Sequence, residues 1–384
     1  MAALLLYGDT EYSPAMRHEV PLAILDPVTF VEVDGRKVVL TSRLERDRIG
    51  DALPDAELLD VFSFGIRELI EEGMSRAPAD AEVVLRALQG LGVQDAYVPA
   101  DFPVLIADRL RSGGIAVTVD EEAVTARRRA KSGFELDGVR AAQRAAEAGM
   151  AAAAAVLAGS EPGSDGRLYL DGDVLTAERV RAALRAACAA HGALCPPDVI
   201  VGSVWQGYGH DPGTGPLPAG LPIVIDLWPR DEASGCWADM TRTFVVGDAV
   251  PDCAEAMLER ERLVAAALEQ ARAAVGPGIT GRELFDATCD LFEGAGFQTQ
   301  RTSDGEAREG FQFALGHGVG LEVHEAPGLG LSGGSPLVEG DVIAVEPGLW
   351  DGRLGGLRFE DLLLVTESGC ETLTRYPCTL TPSG

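Results

Sequence analysis

The chain has five histidines in 384 residues, and two of them fall in one run, Gly316-His317-Gly318-Val319-Gly320-Leu321-Glu322-Val323-His324-Glu325. Glycines around the imidazoles let the backbone pass close to whatever the rings bind. Carboxylates stand before and after this run, each in or at the end of a strand-like stretch. Asp226 lies near the end of the apolar segment Pro222–Leu227, and Asp239 lies in Trp237–Val246, beyond a polar tip at 230–235. Antiparallel pairing about the centre of that tip would make Asp226 and Asp239 cross-strand neighbours on one face. Adjacent carboxylates on a buried sheet repel, and they are tolerated when a cation lies between them or one keeps its proton. Glu346 ends the apolar run Val342–Val345, where Pro347-Gly348 forces a turn. In Leu357–Leu362, period-two alternation puts Arg358 and Glu360 on one face and Asp361 on the other, with an Arg358–Glu360 ion pair as the plainest use of them. Asp226, Asp239, His317, Glu346 and Glu360 together offer carboxylates and one imidazole whose charge matches two divalent cations. Oxygen-rich ligation with a single nitrogen and no thiolate suits Mn2+ or Co2+, and less decisively Zn2+ or Fe2+. Such a pair would make water nucleophilic near neutral pH and polarise an amide carbonyl.

The elements that must position these groups follow from pattern. Strands are expected at Val199–Val201, Pro222–Leu227, Trp237–Val246, Gly320–His324, Val342–Glu346 and Arg358–Val365. Ser132 with Glu135 and Thr280 with Glu283 are capping boxes, opening helices to about Ala158 and Gly294. Further helices are expected over Thr176–His191 and Ala254–Ala274. The first 130 residues read as a smaller α/β unit. It has an Asp34-Gly35 hairpin turn, helices around Ala56–Glu72 and Ala79–Leu91, and a strand at Ile115–Val119. The cluster Arg127-Arg128-Arg129 with Lys131 marks a domain edge and reads as a solvated charge run. The organisation expected is thus an α+β catalytic domain, 131–384, behind an α/β domain, 1–130.

Composition narrows the partners. A formal net charge of -28 opposes binding to nucleic acid or an anionic membrane, and no apolar run is long enough to span a bilayer. Met1–Tyr7 has neither a basic start nor a long apolar region, so no signal peptide is expected. Seven cysteines without a CxxC spacing fit free thiols in a reducing cytoplasm.

In this order, the motifs Ile225-Asp226, Asp239-Met240-Thr241-Arg242-Thr243-Phe244, Gly316–Glu325, Val345-Glu346-Pro347-Gly348 and Arg358-Phe359-Glu360-Asp361 resemble the "pita-bread" metallopeptidases of family M24. That family holds Xaa-Pro aminopeptidases, prolidases and methionine aminopeptidases, with creatinase as a relative. Residues 133–376 are similar to its catalytic domain, and Leu5 to about Ala130 to the smaller N-terminal domain of the Xaa-Pro and creatinase branch. The resemblance implies that Asp226 binds one metal, His317 and Glu346 the other, and that Asp239 and Glu360 bridge them. It further implies Glu346 as general base, His324 as a support for the oxyanion, and Arg358 as holder of the bridging glutamate and part of the substrate. His210, in Gly207-Tyr208-Gly209-His210-Asp211, matches the family's histidine near the scissile amide nitrogen. His18 and His191 are left without a role.

Two departures stand out. The interval from Asp226 to Asp239 is longer than is usual, but an even insertion preserves which face each aspartate takes. Phe313 stands where many Xaa-Pro enzymes carry a further histidine, which puts proline specificity in question. The function implied is metal-dependent hydrolysis of N-terminal peptide bonds in short peptides, of the Xaa-Pro aminopeptidase or dipeptidase kind, by a homodimer. The alternatives are a methionine aminopeptidase-like or non-peptide amide hydrolase, and a catalytically silent peptide-binding scaffold.

Overall fold

The structure, a computed structural model, describes residues 2–206, 208–303 and 305–383. Backbone contacts divide the chain into two units, Met1–Arg128 and Arg129–Gly384.

The first unit is built on one six-stranded sheet. Its strands are β1 (Ala3–Gly8), β2 (Val28–Val33), β3 (Arg36–Thr41), β4 (Glu57–Asp60), β5 (Asp95–Val98) and β6 (Ala116–Val119), in the order β4-β3-β2-β1-β5-β6. Pairing is antiparallel within β1–β2–β3 and parallel at β3–β4, β1–β5 and β5–β6. Asp34 and Gly35 form the expected tight turn, both with positive φ (50° and 76°), and this sets Val33 opposite Arg36. The helix expected over 56–72 does not form as one piece. Leu58 and Leu59 pair with Val39 and Leu40 in β4, Val61–Phe64 makes a 3-10 turn, and left-handed Gly65 (φ 84°) separates that turn from a short helix, Ile66–Glu71. Apolar burial against β3 outweighs the local helical pattern.

The basic cluster is not a solvated run. Arg127 reaches Glu19 at 2.6 Å and Glu32 at 2.8 Å within the first unit. Within the second, Arg129 pairs at 2.6 Å with Asp341, and the Lys131 ammonium lies 2.7 Å from Glu325, with both side chains of this last pair almost wholly buried.

The second unit stacks helices on both faces of a central sheet. That sheet comprises β10 (Gly316–Gly318), β11 (Glu325–Leu329), β12 (Val342–Val345), β15 (Asp361–Thr366) and β16 (Gly369–Thr372), in the order β11-β10-β12-β15-β16 and antiparallel throughout. Beside it stand a three-stranded sheet, β7 (Ile200–Ser203), β8 (Ile223–Leu227) and β9 (Met240–Phe244), and a ribbon, β13 (Gly348–Asp351) with β14 (Gly355–Arg358). Val342, Ala344, Leu362 and Leu364 pack into one core with the helices Gly133–Ala158 and Ala177–Ala190. The alternate residues Ile343, Val345, Leu363 and Val365 pack into a second core with Ala254–Ala274 and Gly281–Gly294. Coverage on both faces is why Val342–Val345 of β12 and Leu362–Val365 of β15 are unbroken apolar runs with no alternation. Ser132 and Thr280 both close their capping boxes, with each N3 glutamate answering the cap backbone. Gly149 lets two helices and β8 meet, since a Cβ there would lie 2.7 Å from Cys188 Sγ and 2.9 Å from Leu227 Cδ1.

Two strand expectations are corrected. Gly320–His324 is a bent connection between β10 and β11, held by Gly320 N–H donating to Glu322 O at 3.0 Å and by Trp237 N–H donating to Gly320 O at 2.7 Å. Arg358–Val365 is broken at Phe359-Glu360, where the chain leaves β14 and enters β15. There the Glu360 N–H donates sideways to Thr241 O at 3.1 Å, which takes it out of either ladder.

Candidate metal centre

The long hairpin of β8 and β9 supplies the first two acids. Asp226 faces Thr241, Leu227 faces Met240, and beyond the strand ends Arg230 bridges Trp237. The register is therefore two residues from the one expected: Asp239 lies across from Trp228. Its cause is the tip, where Asp231 accepts from Ser234 N–H and Oγ, and Gly235 turns at φ 78°. A two-residue shift leaves every side chain on its original face, so Asp226, Trp228, Asp239 and Thr241 share one side of the hairpin.

The central sheet supplies the rest. His317 stands mid-strand in β10 opposite Ala344. Its Nδ1 lies 3.1 Å from Gly318 O, so a donating Nδ1–H leaves Nε2 as the free electron pair. That Nε2 points between Asp239 Oδ2 and Glu346 Oε1, 3.6 Å from each. Glu346 leaves the end of β12 with its N–H bound to Leu315 O at 2.8 Å. Glu360 sits at the strand break, buried to 1% exposure, and accepts from Thr241 Oγ1 at 2.6 Å.

Ligand atoms of Asp226, Asp239 and Glu360 all lie within 4.8 Å of one another, and so do those of His317, Glu346 and Glu360. Glu360 belongs to both sets. Arg358 ion-pairs with Asp226 and, at 3.1 Å, with Glu346, while its Nε donates to Thr241 Oγ1 at 3.1 Å. The threonine hydroxyl thus joins Arg358 to Glu360 by hydrogen bonds, in addition to the attraction between their charges. The guanidinium is backed by Phe313 and Trp350, at 6.0 and 5.7 Å from the ring centres. At the cavity mouth the rings of His317 and His324 meet edge to face at 4.3 Å, and His210 lies 5.9 Å from His324. Gly207, which opens the His210 motif, lies outside the described residues.

The electrostatics fit bound cations. Burial first, then the charges of Glu360, Asp226 and Glu346, push the Asp239 carboxyl well above its usual range. Burial and then Glu346 and Asp226 do the same to Glu360. Glu346 is pushed up to about 7 by burial and the charge of Asp226, against the pull of Arg358 and of His324 and His210. Burial lowers His317, and burial with the nearby His317 lowers His324. For Arg358, burial is outweighed by Asp226, Glu346 and the other acids, which hold it firmly protonated. Asp226 Oδ1 is buried with no hydrogen-bond partner. An orphaned acceptor among acids that one arginine cannot neutralise is what a pair of divalent ions would satisfy. The donor set, all oxygen but for one imidazole, fits hard or borderline cations.

The cavity over this cluster measures about 230 Å³. Besides the acids, histidines and Arg358, it is lined by Gly209, Trp228 and Val323. A larger cavity of about 640 Å³ in the first unit is lined by Leu44, Val61, Phe62, Ile66 and Ile70 among others, and holds no histidine. All eight residues singled out from the sequence thus surround one cavity. Sequence reasoning missed Trp228, Thr241 and Trp350. Strand alternation from Asp226 was a signal for Trp228, whereas the Thr241–Glu360 contact links positions 119 apart and had none.

Comparison with known proteins agrees with this geometry. The model of metallopeptidase family M24 matches residues 137–367. The Xaa-Pro dipeptidase of Pyrococcus furiosus is 38% identical over 138 residues, 36% of this chain and 36% of that protein. That of Pyrococcus horikoshii is 38% identical over 153 residues, 40% of this chain and 39% of the relative. The matched stretches thus span well under half the length of these relatives. Among solved structures, the prolidase of Pyrococcus horikoshii OT3 superposes with a TM-score of 0.75 at 22% identity, covering 99% of this chain and 95% of its own. An Xaa-Pro dipeptidase from Bacillus anthracis gives a TM-score of 0.76 at 21% identity, covering 98% and 94%. These likenesses show the pita-bread fold over the full chain. With a family match that takes in Asp226, Asp239, His317, Glu346 and Glu360 alike, the chain belongs to metallopeptidase family M24.

Proposed function

We propose that the protein is a dinuclear metallo-exopeptidase acting on short peptides from their N-terminus, of the Xaa-Pro dipeptidase or aminopeptidase kind. The observation that carries this reading is the pair of ligand sets, Asp226/Asp239/Glu360 and His317/Glu346/Glu360, each within 4.8 Å and sharing Glu360. Asp226 serves one site, His317 and Glu346 the other, and Asp239 with Glu360 spans both. Bound there, two divalent cations supply Lewis acidity and activate water at neutral pH. The oxygen-rich set favours Mn2+, with Co2+ next and Zn2+ or Fe2+ as further options.

The chain's own groups do the rest. Glu346 lies beside the cluster where it can take a proton from the attacking water. His324 and His210, at the mouth, can donate N–H groups to the carbonyl oxygen and near the scissile nitrogen as charge develops. Arg358, tied to Asp226 and Glu346 and backed by two aromatic rings, fixes those carboxylates and through Thr241 orients Glu360. The assembly proposed is a homodimer, testable by sedimentation, and seven free cysteines suit a reducing cytoplasm.

The test is hydrolysis of a panel of dipeptides and tripeptides with and without Mn2+ or Co2+. Cleavage confined to Xaa-Pro dipeptides identifies a dipeptidase, and release of the first residue from Xaa-Pro tripeptides an aminopeptidase. No hydrolysis with any of the metals would sink the reading.

A further inference from the structure

We infer that the larger cavity of the first unit is a second, non-catalytic binding site, and that its ligand is a free amino acid or short peptide with an apolar side chain. The assignment rests on this cavity alone and stands or falls independently of the peptidase reading. At about 640 Å³ the cavity is of ligand size. It is framed by the start of β2, the end of β3 with the loop that follows, the 3-10 turn Val61–Phe64 and the helix Ile66–Glu71. Three of its side chains, Leu44, Phe62 and Ile70, are 83%, 42% and 42% exposed, and Ile66 lines it beside them. Apolar groups gathered around a concavity gain by taking an apolar side chain out of water.

The charges choose the rest of the ligand. Six charged side chains line the cavity, and three are already answered: Arg43 by Asp60 at 2.8 Å, Glu45 by Arg48 at 2.6 Å and Arg76 by Asp80 at 2.8 Å. The other three, Arg67, Asp26 and Glu71, have no ion-pair partner among the described residues. The guanidiniums of Arg43 and Arg67 both lie against the ring of Phe62, 5.7 and 5.8 Å from its centre. Two cations gathered at one ring, one of them without a counter-ion, favour a carboxylate there. Unanswered acids on the same lining favour an ammonium. A plain apolar carboxylate would leave Asp26 and Glu71 as they are, and a plain amine would leave Arg67 so. A molecule with both charges and an apolar group is an amino acid, or a peptide with free ends. Thr41, 2% exposed, also lines the cavity, and its hydroxyl has no hydrogen-bond partner, so a polar ligand atom reaching it satisfies a buried group.

The full chain, chelated so that nothing is hydrolysed, is titrated calorimetrically with leucine, leucyl-leucine, isocaproate, which lacks the ammonium, and isoamylamine, which lacks the carboxylate. The expected result is saturable binding of leucine or leucyl-leucine, the tighter of the two telling whether one residue or two fill the cavity. Isocaproate and isoamylamine should each bind about tenfold or more weakly than the tighter ligand. Arg67→Ala and Phe62→Ala should each weaken binding by about the same factor in protein with wild-type circular dichroism. Asp239→Ala, which alters the metal centre instead, should leave it unchanged. Isocaproate bound as tightly as leucine overturns the inference, because the ammonium would then count for nothing. So does binding that survives Arg67→Ala and Phe62→Ala, which would place the ligand elsewhere. Absence of saturable binding to the wild type, whether the cavity lies open or is covered by a second copy, overturns it as well. A chain that binds leucine here and hydrolyses no peptide with any metal refutes the peptidase reading alone.

Discussion

Thr241 donates to Glu360 at 2.6 Å and accepts from Arg358 Nε at 3.1 Å, so one hydroxyl fixes the acid common to both ligand sets and the arginine that restrains two others. A valine there has the same shape and neither function. Thr241→Val leaves two buried charged groups short of a partner, and we expect a loss of about 1–3 kcal/mol in stability. Mn2+ affinity should fall by roughly 10–100-fold. Urea unfolding and calorimetric metal titration measure the two, and wild-type affinity in the variant would show that Glu360 needs no such support. Asp239→Ala is the sharper change. It removes an acid held near Asp226, Glu360 and His317, so metal-dependent turnover should vanish while the fold, judged by circular dichroism, persists. Full activity in that variant would contradict the bridging role.

The bent segment Gly320–His324 owes its shape to groups far away in sequence. Lys131 and Glu325 meet 2.7 Å apart with side chains 2% and 6% exposed, and Glu325 also receives Glu322 N–H at 3.3 Å. A Cβ on Gly320 would lie 2.6 Å from Glu325 Oε1 and 2.7 Å from Lys131 Cε, so any side chain there would push on the pair where it closes over the bend. Lys131→Met leaves a carboxylate buried beside the loop that carries His324, and should cost about 3–5 kcal/mol in thermal or urea unfolding. Adding Glu325→Gln should recover much of that loss, because it removes the buried charge that Lys131 had answered; a double variant no better than the single would show that packing, and not charge, is what Lys131 supplies. Arg242 does comparable work on the opposite side of the site. Its side chain is wholly buried, and its donors reach Asp361 and the carbonyls of Thr241, Glu360, Tyr376 and Pro377, which ties the strand break at Glu360 to the C-terminal segment.

Across the whole molecule, the acid cluster links stability to pH and metal. In the metal-free protein the carboxyls of Asp239 and Glu360 titrate well above their usual range and that of Glu346 at about 7, so the folded chain holds protons that the unfolded chain has already released. The cluster's contribution to stability is then fully present below the ordinary carboxyl range and is lost as pH rises from about 4.5 towards 7. Cations require the ionised carboxylates, so their binding releases protons and strengthens over the same window. The Tm of chelated protein should therefore fall through that range while the gain on adding Mn2+ grows; a gain independent of pH would contradict the raised carboxyls. Much of this molecule was legible before any coordinates. The helix starts at Ser132 and Thr280 depend on residues three apart, and the acids and imidazole of the metal centre declare themselves by type and order. What could not be read depends on distant partners. The pairing of Lys131 with Glu325, 194 positions on, turned a supposed surface charge into a buried one, and the Gly235 turn moved the hairpin register by two. The strand break at Glu360 exists because Thr241 claims its backbone from 119 residues away. The sequence by itself determined which groups are able to hold cations, since side-chain type and strand alternation are local properties. Only the tertiary structure decided which of them share a ligand set and what lies beside them, Trp228 included, because convergence is a matter of contacts between segments that no local pattern encodes.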